Sequence, residues 1–313
     1  ATQTIDWIRQ TWEPGQRESL GKLRMHVITS KGTEQRIQLP EQARIKQLKL
    51  GDELRSVAES NVNLIVPLNP GEHWLEVEWS EPRTLDWKAS TPLVAMEGAY
   101  VNHSIGVSVP RDRWVLFVGG PAMGPAVLFW GILIVSVIIA LVLGRFRQLP
   151  VKTWQWLLLI LGLCAGWIEA IVPVVMWFWM MHMRQSDWYA RLNRVQFNFM
   201  QVVLAIFSFF TFMLLIAAIP NGLVGSPDMG VVGNGSSQYF LNWFVDRGQG
   251  ALETAWIISL PLWVYRGLML LWSLWLVVYL LRWLKWGWAA FVHDGYWHSA
   301  DQNPPPEQGL AEQ

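Results

Sequence analysis

Apolar residues recur with a period of two along the first 115 positions of the chain. Val62, Leu64, Val66 and Leu68 alternate with Asn61, Asn63, Ile65 and Pro67. Leu75, Val77 and Trp79 alternate with Glu76 and Glu78, and Ile105, Val107 and Val109 alternate with Ser104, Gly106 and Ser108. Successive side chains of an extended chain point to opposite faces, so this pattern predicts strands with one face on a core and the other in water. Between two such runs, Asn69-Pro70-Gly71-Glu72 predicts a type II turn, with Pro presetting φ and Gly accepting φ > 0. Further turn signals at Lys31-Gly32, Leu39-Pro40, Gly51-Asp52, Glu81-Pro82 and Thr91-Pro92 space the strands closely. Residues 1–115 therefore read as a β-sandwich-like domain.

Beyond that point the pattern changes to long apolar runs, which predict a transmembrane helical bundle over 116–292 with about four spans. The runs are 124–143, 154–181, 199–219 and 261–281. The first carries no charge over its twenty residues, about 30 Å of helix and the thickness of a bilayer's hydrocarbon. The second is long for one span and predicts a steep tilt. Pro261 should interrupt the last apolar region, giving a short interfacial helix over 251–260 and a span from 261. Between spans three and four lies a Gly-rich loop, 220–254, and the chain ends in a polar, Pro-containing tail, 293–313.

Charge sharpens this division. The first 115 residues hold 14 basic and 15 acidic residues, and the other 198 hold 10 and 9. Net charge is zero with a pI near 7.2, which argues against a nucleic-acid partner. Of 22 tryptophans, 17 lie at or beyond Trp114 and are expected to anchor helices at the headgroup level, the bilayer being the expected partner. On the β-domain, Trp7, Trp12, Trp74 and Trp87 are either core residues or a surface on which sugar rings could stack.

Few residues carry recognisable chemistry. Glu169 is the only acid inside a predicted span, and an intramembrane carboxylate is a functional candidate unless it merely packs protonated. Pro173 would loosen the helix beside it. Arg266 is the matching basic candidate, placed to snorkel or to pair with Glu169. Within the Gly-rich loop the candidates are Asp228, Asn234, Asp246 and Arg247. That loop lacks the spacing of a phosphate-binding loop and has no Asp-x-Asp run for a cation. The single cysteine, Cys164, excludes a disulfide framework, and the six histidines show no HxxxH or HExxH spacing. The expectation is no catalytic site, no metal and no cofactor.

Orientation is contested by the sequence itself. With four spans and an outside N-terminal domain, Arg145, Arg147, Lys152 and Arg247 fall inside, and Arg111, Arg113, Arg184, Arg191, Arg194, Arg282 and Lys285 fall outside. That balance opposes the positive-inside rule. The basic stop after the first span and the β-domain before it favour the opposite answer, and an extracytoplasmic N-terminal domain is the expectation.

Three stretches carry a family likeness: PRDRWVLFVGGPAMGPAVLFW from Pro110, GSPDMGVVGNGSSQYFLNWFVDR from Gly225 and YRGLMLLWSLWLVVYLLRWLKWGW from Tyr265. Together they resemble the C-terminal region of large uncharacterised integral membrane proteins of Gram-negative bacteria, over roughly residues 60–298. The resemblance implies an inner-membrane location and further β-structure upstream of Ala1, and it assigns no activity. No leader precedes Ala1, and Thr4–Arg9 reads as mid-strand, so the chain is expected to be the C-terminal piece of something longer. The expected role is a membrane-anchored envelope scaffold, sensor or assembly component, whose partners are other envelope proteins or its own upstream region. The alternatives are a transporter or channel component using Glu169 and Arg266, and a carbohydrate-binding surface on the β-domain.

Overall fold

The computed structural model describes residues 3–58, 61–146, 148–166, 168–293 and 295–298. The chain divides into two compact units: Ala1–Gly131 with Asp228–Tyr265, and Ile132–Pro227 with Arg266–Gln313.

The first unit is built from strands. In chain order they are β1 (Gln3–Glu13), β2 (Ser19–Thr29), β3 (Thr33–Gln38), β4 (Arg44–Leu50), β5 (Glu53–Arg55), β6 (Asn63–Leu68) and β7 (Gly71–Glu81). These are followed by β8 (Lys88–Ser90), β9 (Ala95–Ser108), β10 (Arg113–Gly119), β11 (Ala126–Val127), β12 (Val231–Val232), β13 (Phe240–Ala251) and β14 (Trp256–Pro261). The alternation seen in the sequence is the alternation of burial: Leu64, Val66 and Leu68, then Leu75, Val77 and Trp79, then Ile105, Val107 and Val109 all face the core. Gly71 begins β7 with φ 130, as the turn before it requires.

A sandwich of two sheets is not what forms. Nine strands hydrogen-bond into one sheet in the order β5-β4-β7-β2-β1-β9-β3-β6, with β13 also on β9, and the sheet curls into a half-barrel. The continuity rests on β9, whose fourteen residues serve three neighbours. It runs parallel to β1 from Tyr100 to Val107, antiparallel to β3 at Ala95 and Met96, and antiparallel to β13 along its length. Asn102, with φ 54, makes the strand irregular, so that Tyr100 and His103, three apart, are both buried. The pairing registers with β1 and β13 run through Asn102 unshifted, and the bulge of this strand pair lies where β13 slips between Gln249 and Ala251, opposite Ala99 and Ala95; a bulge of this kind bends the sheet and strengthens its twist.

Two expectations for 220–260 are corrected here. The segment read as a loop contains β12 and β13, and the expected interfacial helix 251–260 is β14 at its C-terminal end. Leu241, Trp243 and Val245 alternate inward on β13, and β14 lies between β10 and β8 in a second, three-stranded sheet.

The second unit is helical: α1 (Phe129–Leu143), α2 (Thr153–Gly166), α3 (Ile171–Arg184), the single turn α4 (Asp187–Ala190), α5 (Arg194–Val224) and α6 (Leu262–Val292). Among the described residues two helices, α5 and α6, are long and apolar enough to cross a membrane, rather than about four. Asn193 opens α5 with a capping box to Gln196, and the helix runs through Pro220 instead of stopping there. At Pro261, β14 ends and α6 follows directly, continuing past the expected end at 281 to Val292.

The expected span 154–181 is two helices of 14 residues joined by the 3-10 turn Ile168–Ala170. A proline ring clashes with the carbonyl four residues back, which for Pro173 is the carbonyl of Glu169, so the helix breaks there and restarts. In the first turn of α3 the missing N–H of Pro173 costs nothing, since no intrahelical acceptor awaits it. The break reverses the chain. Trp156 and Phe178 would stand about 33 Å apart in a continuous helix, yet their rings are 5.2 Å apart. Helices α2 and α3 are an antiparallel hairpin.

Candidate functional site

The residues singled out in the sequence do not converge. Glu169 lies exposed in the turn of the α2–α3 hairpin, not midway along a span. Arg266 is exposed one turn into α6, and no ion pair joins it to Glu169 among the described residues. Asp228 accepts the Gly230 N–H at 2.8 Å and shapes the turn into β12. Asn234, at φ 49, exchanges side-chain hydrogen bonds with Asn242 at 3.3 and 3.0 Å, folding the glycine-rich turn before β13. Asp246 and Arg247 pair with each other at 3.3 Å on the exposed surface of β13. Asp228 and Asn234 thus hold backbone, while Asp246 and Arg247 form an exposed surface pair. Among the described residues, no group of three or more His, Cys, Asp or Glu side chains stands close enough to hold a metal.

Side chains gather in two other places. The first is the face of the large sheet turned away from its core, where Trp7, His26 and Trp74 stand opposite one another on β1, β2 and β7. Trp74 is 42% exposed and meets Trp7 edge-on at 5.5 Å, His26 at 4.6 Å and the Arg24 guanidinium at 4.7 Å. Asp6 holds His26 Nδ1 at 2.7 Å. Further along β2, Lys22 donates to Glu78 at 2.7 Å and to Glu76 at 3.0 Å. The bond to Glu78, working against burial and aided by Glu76, raises the Lys22 ammonium above its ordinary pKa. Beside this pair lies a depression of about 340 Å³ lined by Thr11, Glu13, Leu20, Lys22, Lys46 and Glu78. His26 and Lys22 are four residues apart, about 13 Å along the strand. Trp12 is fully buried and belongs to the core, while Trp87 is 65% exposed beside the small sheet.

The second place was invisible in the sequence. Arg184, at the end of α3, is fully buried. Its Nε donates to Gln201 Oε1 at 3.2 Å, and its guanidinium lies 4.6 Å from the Tyr189 ring and 4.8 Å from that of Phe197. It also donates to the carbonyls of His293 and Gly295 in the chain following α6. Gln201 Nε2 donates to the carbonyls of Phe291 and Tyr296, and Asn198 bonds the backbone of His298 in both directions, at 3.1 and 3.0 Å. The His298 ring stacks on Phe197 at 3.7 Å. Side chains that bind backbone a hundred residues away leave no local motif.

No protein family matches the chain, and no curated protein matches it. Among solved structures it is similar to the M1 zinc metallopeptidase of Deinococcus radiodurans, at 11% identity and a TM-score of 0.28, over 39% of this chain and 35% of that one. A two-domain M1 zinc metallopeptidase bound to L-arginine gives 12% identity and a TM-score of 0.29 over the same shares. The chain thus spans about a third of these proteins' length, and likeness at this level carries no argument about activity.

Proposed function

We propose that this chain is a membrane-anchored envelope protein whose β-unit stands outside the cytoplasm as a docking scaffold. The helices α5 and α6 have only 22% and 28% of their most apolar stretches buried. A soluble core helix would hide that surface, whereas Ile206, Phe209, Phe210, Met213 and Ile216 are exposed. Exposed carbon along the charge-free stretch 195–224 of α5 fits lipid as its surroundings.

The observation that carries the orientation is the α2–α3 hairpin. It adds a reversal, so that α1, α2, α3, α5 and α6 pass alternately between the two ends of the helical unit. At one end Thr153 bonds the Gly144 carbonyl, and Arg184 meets Gln201 and the chain after α6. At the other, a Cβ on Gly166 would lie 3.4 Å from Met269 and 3.6 Å from Gly222. Arg145, Lys152, Arg184, Arg191, Arg194, Arg282 and Lys285 then belong to the first end, against Arg266 at the second and Arg111, Arg113 and Arg247 on the β-unit. With this extra pass the basic residues favour an extracytoplasmic β-unit, removing the conflict that four spans created. Helices of 14 residues reach about 21 Å and cross with local thinning of the bilayer. The resemblance to large Gram-negative inner-membrane proteins points to the same compartment.

Impermeant maleimide labelling of Ser90→Cys, Gln148→Cys and Glu169→Cys, each in a Cys164→Ser background, tests this. Positions 90 and 169 are expected to label in intact spheroplasts and 148 only after lysis. Labelling of 169 together with 148 would remove the hairpin crossing, and labelling of 148 alone would invert the protein.

The aromatic row supports a second reading, in which the β-unit binds glycan. Trp7 and Trp74 form a corner about 13 Å from a polar depression, and basic and acidic groups alternate between them, which suits an uncharged, hydroxyl-rich chain. Trp74→Ala is expected to weaken binding of a chito-oligosaccharide about tenfold or more, by isothermal titration with the full chain in detergent. Binding unchanged by the substitution, or none to begin with, ends this reading.

A further inference from the structure

We infer that the stretch from His293 to His298 is a detachable strap, which locks the end of α6 to α3 and α5 through the buried charge of Arg184. An ionised guanidinium removed from water must regain hydrogen bonds from its surroundings, or the burial is strongly unfavourable. At Arg184 two of the bonds that replace water come from carbonyls of the strap. Among its described residues the strap forms no helix or strand, and Gly295, Tyr296 and Trp297 are exposed, so these contribute little apolar burial of their own. What fastens it is polar and specific: Arg184 on two carbonyls, Gln201 on the Tyr296 carbonyl, and Asn198 on both backbone groups of His298, with the His298 ring laid on Phe197. Gln201 joins the two halves, since its oxygen accepts from Arg184 and its nitrogen donates to the end of α6 and to the strap.

The charge and the strap therefore depend on each other. A partner that grips the chain beyond His298 is felt at α3 and α5, because drawing the strap away uncovers Arg184. This deepens the reading of an envelope sensor or assembly component but does not rest on the orientation, since every contact lies within the helical unit.

A double-mutant cycle on the full chain in detergent tests it, with Arg184→Met as one change and truncation after Val292 as the other. Truncation is expected to lower the thermal midpoint of the helical unit by on the order of 5–10 °C when Arg184 is present. In the Arg184→Met background, where no buried charge is left uncovered, it should lower the midpoint by about a third of that or less. Equal effects in both backgrounds, or no effect in either, overturn the inference. If the truncated chain does not fold, Asn198→Ala with hydrogen exchange replaces it. Amides from 295 to 298 should then exchange at least about tenfold faster while those of mid-α5 keep their protection. Unchanged exchange there overturns the inference equally.

Discussion

Replacing Trp79 by alanine is expected to cost the β-unit about 3–5 kcal/mol, a large part of the roughly 5–15 kcal/mol that stabilises a typical domain. Trp79 is fully buried on β7, where its indole covers Gly21 of β2, the residue directly opposite. A Cβ at Gly21 would fall 2.2 Å from the ring, so the indole occupies the space a side chain would need, and Trp12 flanks the same glycine from β1. Truncation to alanine removes the ring from beside a residue with no side chain to collapse into the gap. It also removes the Nε1–H that bonds the buried Glu81 carboxyl at 2.7 Å, leaving an acceptor without its donor. Denaturant unfolding of the full chain in detergent, followed by hydrogen exchange in β2 and β7, measures the loss. Trp79→Phe keeps most of the packing but not the hydrogen bond, and should fall between wild type and alanine. A loss below about 1 kcal/mol for Trp79→Ala would mean that the sheet closes over the gap, and that the glycine–indole contact is incidental.

That contact recurs, and it changes how the tryptophans are read. Trp256 covers Gly119, Trp243 covers Gly124, Trp272 covers Gly162 and Trp177 covers Gly287, each with ring atoms where a Cβ would go. From composition alone the tryptophans of the second half looked like interfacial anchors, and some of them, such as Trp263 and Trp288, are exposed on α6 as anchors would be. Others are plugs over glycines, a pairing that sequence spacing does not reveal because the two residues belong to different elements. The strands of the first 115 residues were legible because alternation is local, and β6, β7 and β9 bury the side predicted. Alternation was equally present at Leu241, Trp243 and Val245, but seven glycines between 222 and 250 suggested a loop. The hairpin at Glu169 was half legible: Pro173 marked a weakness, and only the distance between Trp156 and Phe178 shows that the chain turns back there. Arg184 had no local signal, because its partners are backbone carbonyls at positions 293 and 295.

Acidification between pH 6.5 and 4 should destabilise the β-unit through one residue, His103. Its side chain is fully buried on β9, between Ile8 of β1 and Val245 of β13, with the Tyr100 ring edge-on at 5.6 Å. Neither ring nitrogen has a hydrogen-bond partner among the described residues, and burial lowers its pKa from 6.5 to about 4. The folded state therefore keeps this imidazole neutral. Above pH 6.5 both folded and unfolded chains hold it neutral, and it adds no pH dependence. As pH falls through 6.5 the unfolded chain takes up a proton that the folded chain refuses, so stability declines until about pH 4, where the folded state is protonated as well. A difference of roughly 2.5 in pKa, at about 1.4 kcal/mol each, makes the full loss about 3 kcal/mol. His103→Leu, close in size and without a proton to bind, should flatten the curve over that window, and the variant should be relatively more stable at pH 4.5 than at 7.5. Unfolding of both proteins at the two pH values, read by hydrogen exchange in β9 and β13, decides the matter. If wild type and His103→Leu lose the same stability on acidification, the acid sensitivity lies elsewhere, and the buried histidine is only a packing residue.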